Sequence, residues 1–245
     1  MSQITRDQFY SGRVTVFQPV KGFRAGTDSV LLAAALPPDL RGHVLEVGCG
    51  AGGALLPAMN RLPEAQFTGL ERDPAVARLA RKGLTENSFE TRGKIVDGDA
   101  RAIPADWENR FDLVFSNPPF FSEGAIQPPG EGKEAAYLES LPLKDWLSAM
   151  LFALRPKGTL TLIHRAADLA RILSVIERRT GDITVLPVRS FPGADAKRVI
   201  VRARKGLRSG PMRLLSGIDL YQSKGGERAE LMERVAGQGE GLDWS

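Results

Sequence analysis

Residues 44–53, VLEVGCGAGG, constrain the fold more tightly than any other stretch of this 245-residue chain. A short apolar, β-branched run leads into glycines at 48, 50, 52 and 53, and a helical pattern begins near Ala54. Glycine tolerates the backbone angles of a tight turn and lets the main chain approach a neighbour or a ligand closely. The segment therefore predicts strand, tight turn and helix. The same alternation recurs along the chain. Strands are predicted at His43–Val47, Gln66–Leu70, Lys94–Asp97, Asp112–Ser116, Thr159–Ile163, Ile183–Pro187 and Arg198–Ala203. Helices are predicted at about 28–36, 52–60, 74–86, 143–154 and 166–180. Asp73-Pro74 reads as an N-cap with proline at the first helical position, and Thr27 or Asp28 as the cap of the first helix. This is the pattern of an α/β domain, a mostly parallel sheet with helices on both faces. The length fits one such domain, residues 1–245, with 1–40 as an N-terminal extension.

Composition narrows the classes. No apolar run approaches the ~18–20 residues that span a bilayer. The start, MSQITRDQFYSGR, lacks the basic and apolar regions of a secretory signal. One cysteine, Cys49, cannot form an internal disulfide, which fits a cytoplasmic protein, and with only His43 and His164 beside it a structural zinc site is not expected. His164 has no evident acid partner in sequence and reads as structural. The net charge of +4 is unevenly spread: Arg189 to Arg213 holds eight basic residues against one acid, Asp195. Such a stretch suits phosphates, and a solvated basic surface is the plain alternative.

The glycines fit two templates. Gly48, Gly50 and Gly53 match the dinucleotide fingerprint G-x-G-x-x-G, while Glu46, Gly48, Gly50 and Gly52 match the E-x-G-x-G-x-G loop of S-adenosylmethionine (SAM) methyltransferases. Glu71 falls where either template places a carboxylate on ribose hydroxyls. A pyrophosphate here would lie beside the Glu46 carboxylate, an unfavourable contact, whereas the sulfonium and ammonium of SAM are helped by it. Asp99, after the third strand, is placed to accept from an adenine amino group, with Ala100 beside it. A turn cap is the alternative for Asp99, and Asp97 reads as a turn residue. Asn117-Pro118-Pro119-Phe120 ends the fourth strand. The prolines remove backbone donors and hold Asn117 extended, leaving an edge rich in acceptors beside flat apolar surface. Residues 122–134, SEGAIQPPGEGKE, follow as an expected mobile substrate loop.

Taken together, Glu46-x-Gly48-x-Gly50-x-Gly52, Glu71, Asp99 and Asn117-Pro118-Pro119-Phe120 resemble class I SAM-dependent methyltransferases of the branch that methylates exocyclic amino groups. From about residue 10 to 220 the chain is most similar to the tRNA(Val) adenine-N6 methyltransferase family, through KGFRAGTDSVLL (21–32), GTLTLIHR (158–165) and AKRVIVRARKG (196–206). The resemblance implies a Rossmann-like, seven-stranded sheet with the last strand antiparallel, and SAM as cofactor with S-adenosylhomocysteine as product. It also implies cofactor contacts from Arg24, Thr27, Glu46, Gly48, Gly50, Gly52, Glu71, Asp99, Ala100 and Asn117. The catalytic element would be Asn117, Pro118, Pro119 and Phe120: the Asn117 side-chain oxygen and the Pro118 carbonyl accept from the target amino group, and Phe120 stacks on the base. An RNA, most simply a tRNA methylated beside its anticodon, would be held by Lys197, Arg198, Arg202 and Arg204. Protein glutamine, another RNA or a small-molecule amine is the alternative acceptor for the same chemistry.

Overall fold

The computed structural model describes residues 3–21, 24–119 and 141–244. Phe120 and the 122–134 loop lie outside the described residues. All seven predicted strands form, as β3 (Gly42–Val47), β4 (Ala65–Glu71), β5 (Gly93–Asp97), β6 (Phe111–Ser116), β7 (Leu154–Arg165), β8 (Thr180–Arg189) and β9 (Ala196–Lys205). They lie in the order β8-β9-β7-β6-β3-β4-β5. Strands β7, β6, β3, β4 and β5 run parallel, and β9 is antiparallel to both of its neighbours. The last core strand is thus inserted antiparallel, as the resemblance implied. Two short strands not expected from sequence, β10 (Arg213–Leu214) and β11 (Ile218–Asp219), extend the sheet parallel to β8.

The helices on one face are α1 (Thr27–Ala34), α2 (Leu55–Arg61) and α3 (Pro74–Glu86); those on the other are α4 (Leu143–Ala153) and α5 (Leu169–Ile176). A short helix, α6 (Glu230–Glu233), returns to the first face, where Met232 and Val235 join its core. Asp73 caps α3 as predicted, its Oδ1 accepting from the backbone N–H of Ala75 at 2.8 Å and of Val76 at 3.4 Å. The cap expected for α1 does not form. Gly26 holds that position without a side-chain bond, and the Asp28 carboxylate instead pairs with Arg198 Nε at 2.9 Å. A charge-assisted bond between side chains has outcompeted a cap. The predicted helix at 166–180 is shorter because a 3-10 turn occupies 166–168 and β8 begins at Thr180.

The N-terminal segment is a hairpin, β1 (Ile4–Phe9) and β2 (Val14–Pro19), that pairs with no strand of the main sheet. It docks on α3: Asn87 closes a two-way clasp on Thr15, donating to its carbonyl and accepting from its N–H, both at 2.8 Å. Tyr10, at the hairpin turn, is 1% exposed and its hydroxyl has no partner among the described residues. Burial pushes the phenol up to about 12, against the pull of Arg61 and Arg13. His164 also differs from its sequence reading, since Asp168, four residues on, lies 3.2 Å from Nδ1. Burial nevertheless dominates and holds the imidazole down at about 4, so it is neutral near pH 7.

Tyr10 yields a test with a defined sign. Its folded pKa exceeds the unfolded value of about 10, so its contribution is intact below that pH and is lost as pH rises through about 12. We expect Tyr10→Phe to remove an unpaired buried hydroxyl and gain about 1 kcal/mol at neutral pH. Urea denaturation at pH 8 to ~11 should show the wild type losing stability faster than the variant over the alkaline half.

Candidate active site

Four strands deliver the predicted residues to one edge. At the carboxyl ends of β3, β4, β5 and β6 lie the glycine turn, Glu71, Asp99 and Asn117, the edge where open α/β sheets bind ligands. Together with the hairpin and α3 they wall a cavity of about 990 Å³.

The glycine turn is pinned from β4. Gly48 and Cys49 donate to the Leu70 carbonyl at 2.8 and 3.0 Å, and Gly50 donates to Glu71 Oε2 at 2.9 Å. The other oxygen of Glu71 accepts from the Asp73 N–H at 2.9 Å. Each carboxylate oxygen keeps a lone pair for a hydroxyl in the cavity. Gly48 has φ +71°, and a side chain there would come within 2.7 Å of the Trp146 ring. Trp146 is one of the wall residues that sequence reasoning missed. Its indole Nε1 donates to Ser116 Oγ at 2.9 Å, and that hydroxyl donates to the Val47 carbonyl at 2.7 Å. One chain of bonds thus joins α4, the residue before Asn117 and the residue before Gly48. Its only sequence signal was an aromatic on the first turn of a helix.

Glu46 is 2% exposed, lines the cavity, and its Oε2 has no partner among the described residues. Burial, with Glu71 nearby, holds its carboxyl well above the usual carboxylate range. The Cys49 thiol is pushed up by burial and by the same acids, which keeps it protonated and unreactive. Asn117 carries a sharper signal. Both its Oδ1 and its Nδ2 are buried at the cavity wall and have no partner among the described residues, an uncommon state for a buried amide. Pro119 lines the cavity, whereas Pro118 is buried beside it.

Other predicted residues land differently. Asp99 lines the cavity with Ala100, and it also caps a 3-10 turn, its Oδ1 accepting from the Arg101 N–H at 2.9 Å. Asp97 pairs with Arg81 at 2.8 Å. Gly52 and Thr27 stay outside the wall, and so does Arg24, whose guanidinium binds the hairpin at Asp7, Thr5 and the Pro19 carbonyl. The N-terminal segment meets the cavity through Ile4, Gln18, Pro19, Lys21, Ala25 and Ser29 instead. Gln18 fixes this closure, donating to Asp7 and accepting from the Ala25 N–H, both at 2.6 Å.

The four cations expected to hold RNA do not form one patch. Six residues separate Arg198 from Arg204 along β9, about 20 Å at strand spacing, so only Lys197 and Arg198 reach the cavity's edge of the sheet. Arg198 pairs with Asp28, Arg202 lies over the Trp244 ring at 4.6 Å, and Arg204 is bound to the Lys157 carbonyl at 3.1 Å.

Comparison with known proteins places the chain in a family. The methyltransferase small domain matches residues 22–129. A Porphyromonas gingivalis tRNA1(Val) (adenine(37)-N6)-methyltransferase is 32% identical over 206 residues, covering 79% of each chain. The chain belongs to that family. Another P. gingivalis family member, from strain W83, is 33% identical over 189 residues and 72% of each chain. Among solved structures, an Agrobacterium tumefaciens protein described as a predicted O-methyltransferase matches 88% of this chain and 98% of its own, with a TM-score of 0.73 at 23% identity. M. jannaschii TYW2, solved with AdoMet, covers 83% of this chain and 86% of its own at a TM-score of 0.60 and 12% identity. The fold is that of class I methyltransferases. Among the described residues no helix is long and apolar enough to cross a membrane.

The approach of Trp146 to Gly48 predicts a coupled pair. Gly48→Ala should destabilise through left-handed strain of about 1–2 kcal/mol and overpacking of about 1–3 kcal/mol. Trp146→Phe removes the ring edge that the new methyl would strike, so the double variant should be less destabilised than the sum of the single ones. A thermal-denaturation double-mutant cycle measures the difference.

Proposed function

We propose that the protein transfers a methyl group from SAM to the exocyclic N6 of an adenosine in tRNA, the tRNA(Val) adenosine beside the anticodon being the position that the relatives' names favour. The observation that carries the reading is Asn117, a residue of the cavity wall whose buried acceptor and buried donor both lack a partner among the described residues.

The residues present fit SAM. Glu46 is a buried acid whose Oε2 has no partner among the described residues, where a cationic ligand is expected, and Glu71 keeps free lone pairs for ribose hydroxyls. Asp99 and Ala100 also line the cavity, which supports their use as adenine contacts. When bound, SAM supplies an electrophilic methyl group. The chain's part is to place a nucleophile against it. Adenine N6 is a poor nucleophile because its lone pair is delocalised into the ring. Asn117 Oδ1 accepts from one N6–H and orients the lone pair, while Asn117 Nδ2 is left to donate to a second acceptor. The rate enhancement then comes mainly from orientation. The target base must leave its stack to reach Asn117.

The deciding experiment is methyl transfer from labelled SAM to unmodified tRNA, followed by digestion to nucleosides. We expect label in N6-methyladenosine. Label absent from tRNA and present on a protein glutamine would move the reading to the alternative acceptor. Asn117→Ala should lower turnover by at least about 100-fold, the scale of lost orientation, with SAM affinity little changed by calorimetry.

Glu46 adds a pH dependence. Its carboxyl is held above the usual range in the free protein, while a cationic ligand favours the carboxylate, so binding should release a proton. SAM affinity should then rise with pH until Glu46 is ionised in the free protein as well, and Glu46→Gln should bind more weakly and flatten the rise. Calorimetry in buffers of different ionisation enthalpy counts the proton directly.

A further inference from the structure

The cavity has a chemistry that SAM does not use up. Four carboxylates line it, the buried Glu46, the half-buried Glu71 and Asp99 and the exposed Asp73, which suits a sulfonium and an ammonium. Its outer wall, between the hairpin and α3, is basic: Lys21, Arg78 and Lys82 all line it, and all are exposed. SAM carries no phosphate and a single carboxylate, so three cations exceed what it can pair with. Among the described residues, neither Lys21 nor Arg78 is paired with a carboxylate, and the Lys82 ammonium rests on the Phe17 ring, 4.0 Å from its centroid. Neighbouring cations are engaged elsewhere: Arg81 with Asp97 at 2.8 Å, Arg6 with Glu86 at 2.6 Å and Arg24 with Asp7.

The wall is also preformed. The Asn87–Thr15 clasp and the Lys82–Phe17 contact hold the hairpin against α3. Arg78 and Lys82 are four residues apart on one helix face, about 6 Å along the axis. Ile4, 52% exposed, and Pro19 add apolar surface among these cations. Cations interleaved with apolar surface, continuous with a base-sized cavity, suit a polyanion whose bases need somewhere to rest.

We propose that the groove between the N-terminal hairpin and α3 holds the RNA strand flanking the target nucleotide, with Lys21, Arg78 and Lys82 meeting its phosphates. This rests on the tRNA reading above and moves the main RNA contact from β9 to the opposite flank of the cavity. The one cation that SAM's carboxylate needs is the competing use of these residues, and the test separates the two.

The experiment measures binding of a fluorescent unmodified tRNA transcript to the full chain by anisotropy across about 50–200 mM salt, together with SAM affinity by calorimetry. Lys21→Gln and Arg78→Gln should each weaken tRNA binding and make the log K against log[salt] slope shallower by ~0.7–0.9, the value of one phosphate contact. SAM affinity should stay within about twofold, since no such contact serves the cofactor. Arg178→Gln, an exposed cation before β8 on the far edge, should leave the slope alone. Unchanged slopes in variants of an enzyme that still methylates tRNA would overturn the groove and leave the tRNA reading standing. A fall in SAM affinity matching the fall in tRNA affinity would assign the cations to the cofactor. A wild type that binds SAM and neither binds nor methylates tRNA would remove both.

Discussion

Two bonds from one carboxylate organise the site. Glu71 accepts from the Gly50 N–H with one oxygen and from the Asp73 N–H with the other. The first bond anchors the glycine turn after β3, and the second sets the residue that caps α3. Without them, the turn after β3 and the start of α3 would have backbone donors facing a cavity with no protein partner, which is costly wherever water is excluded. The parallel register of β3 with β4, Val47 opposite Leu70, makes this possible because it brings both strand ends level. The Leu70 carbonyl can then hold Gly48 and Cys49 while Glu71 holds Gly50.

A second junction lies across β3 from the first. Ser116 bridges the Val47 carbonyl to the Trp146 indole, so the glycine turn and Asn117 are held by one hydroxyl. The distance between the glycine turn and the Asn117 amide is therefore set by short bonds between rigid elements, and α4 is built into that setting. This is what orientation catalysis asks of a scaffold, since misplacement by about 1 Å can cost 100-fold in rate. The electrostatics follow the same geometry. Glu46 is buried in the cavity wall, whereas Lys21, Arg78 and Lys82 on the same wall are exposed, where they stay hydrated and accessible.

The basic stretch of β9 shows why a charge run is a weak guide to a binding face. In a strand, alternate residues point to opposite faces and each step advances the chain by about 3.4 Å. Arg198, Arg202 and Arg204 share a face yet spread over the width of the sheet, and each finds a carboxylate, a ring or a carbonyl within the fold. Guanidinium groups are well suited to such tethering, having several donors and long apolar stems. The Lys21, Arg78 and Lys82 group is scattered through the sequence and converges only when the hairpin docks on α3.

The sequence by itself determined the seven core strands, the antiparallel insertion implied by family resemblance, the α3 cap at Asp73 and the carboxyl-edge residues Glu46, Glu71, Asp99 and Asn117. These were legible because they depend on local periodicity, turn chemistry and contiguous motifs. Tertiary structure alone decided the hairpin, whose β1 strand alternates exposed and half-buried residues and makes sense only against α3. It also decided that Trp146 closes on Gly48, that Arg24 serves the hairpin rather than the cavity, and that Asp28 prefers Arg198 to its own helix. Each of those outcomes is a competition between partners distant in the chain. Which partner wins depends on distances that exist only once the sheet has formed.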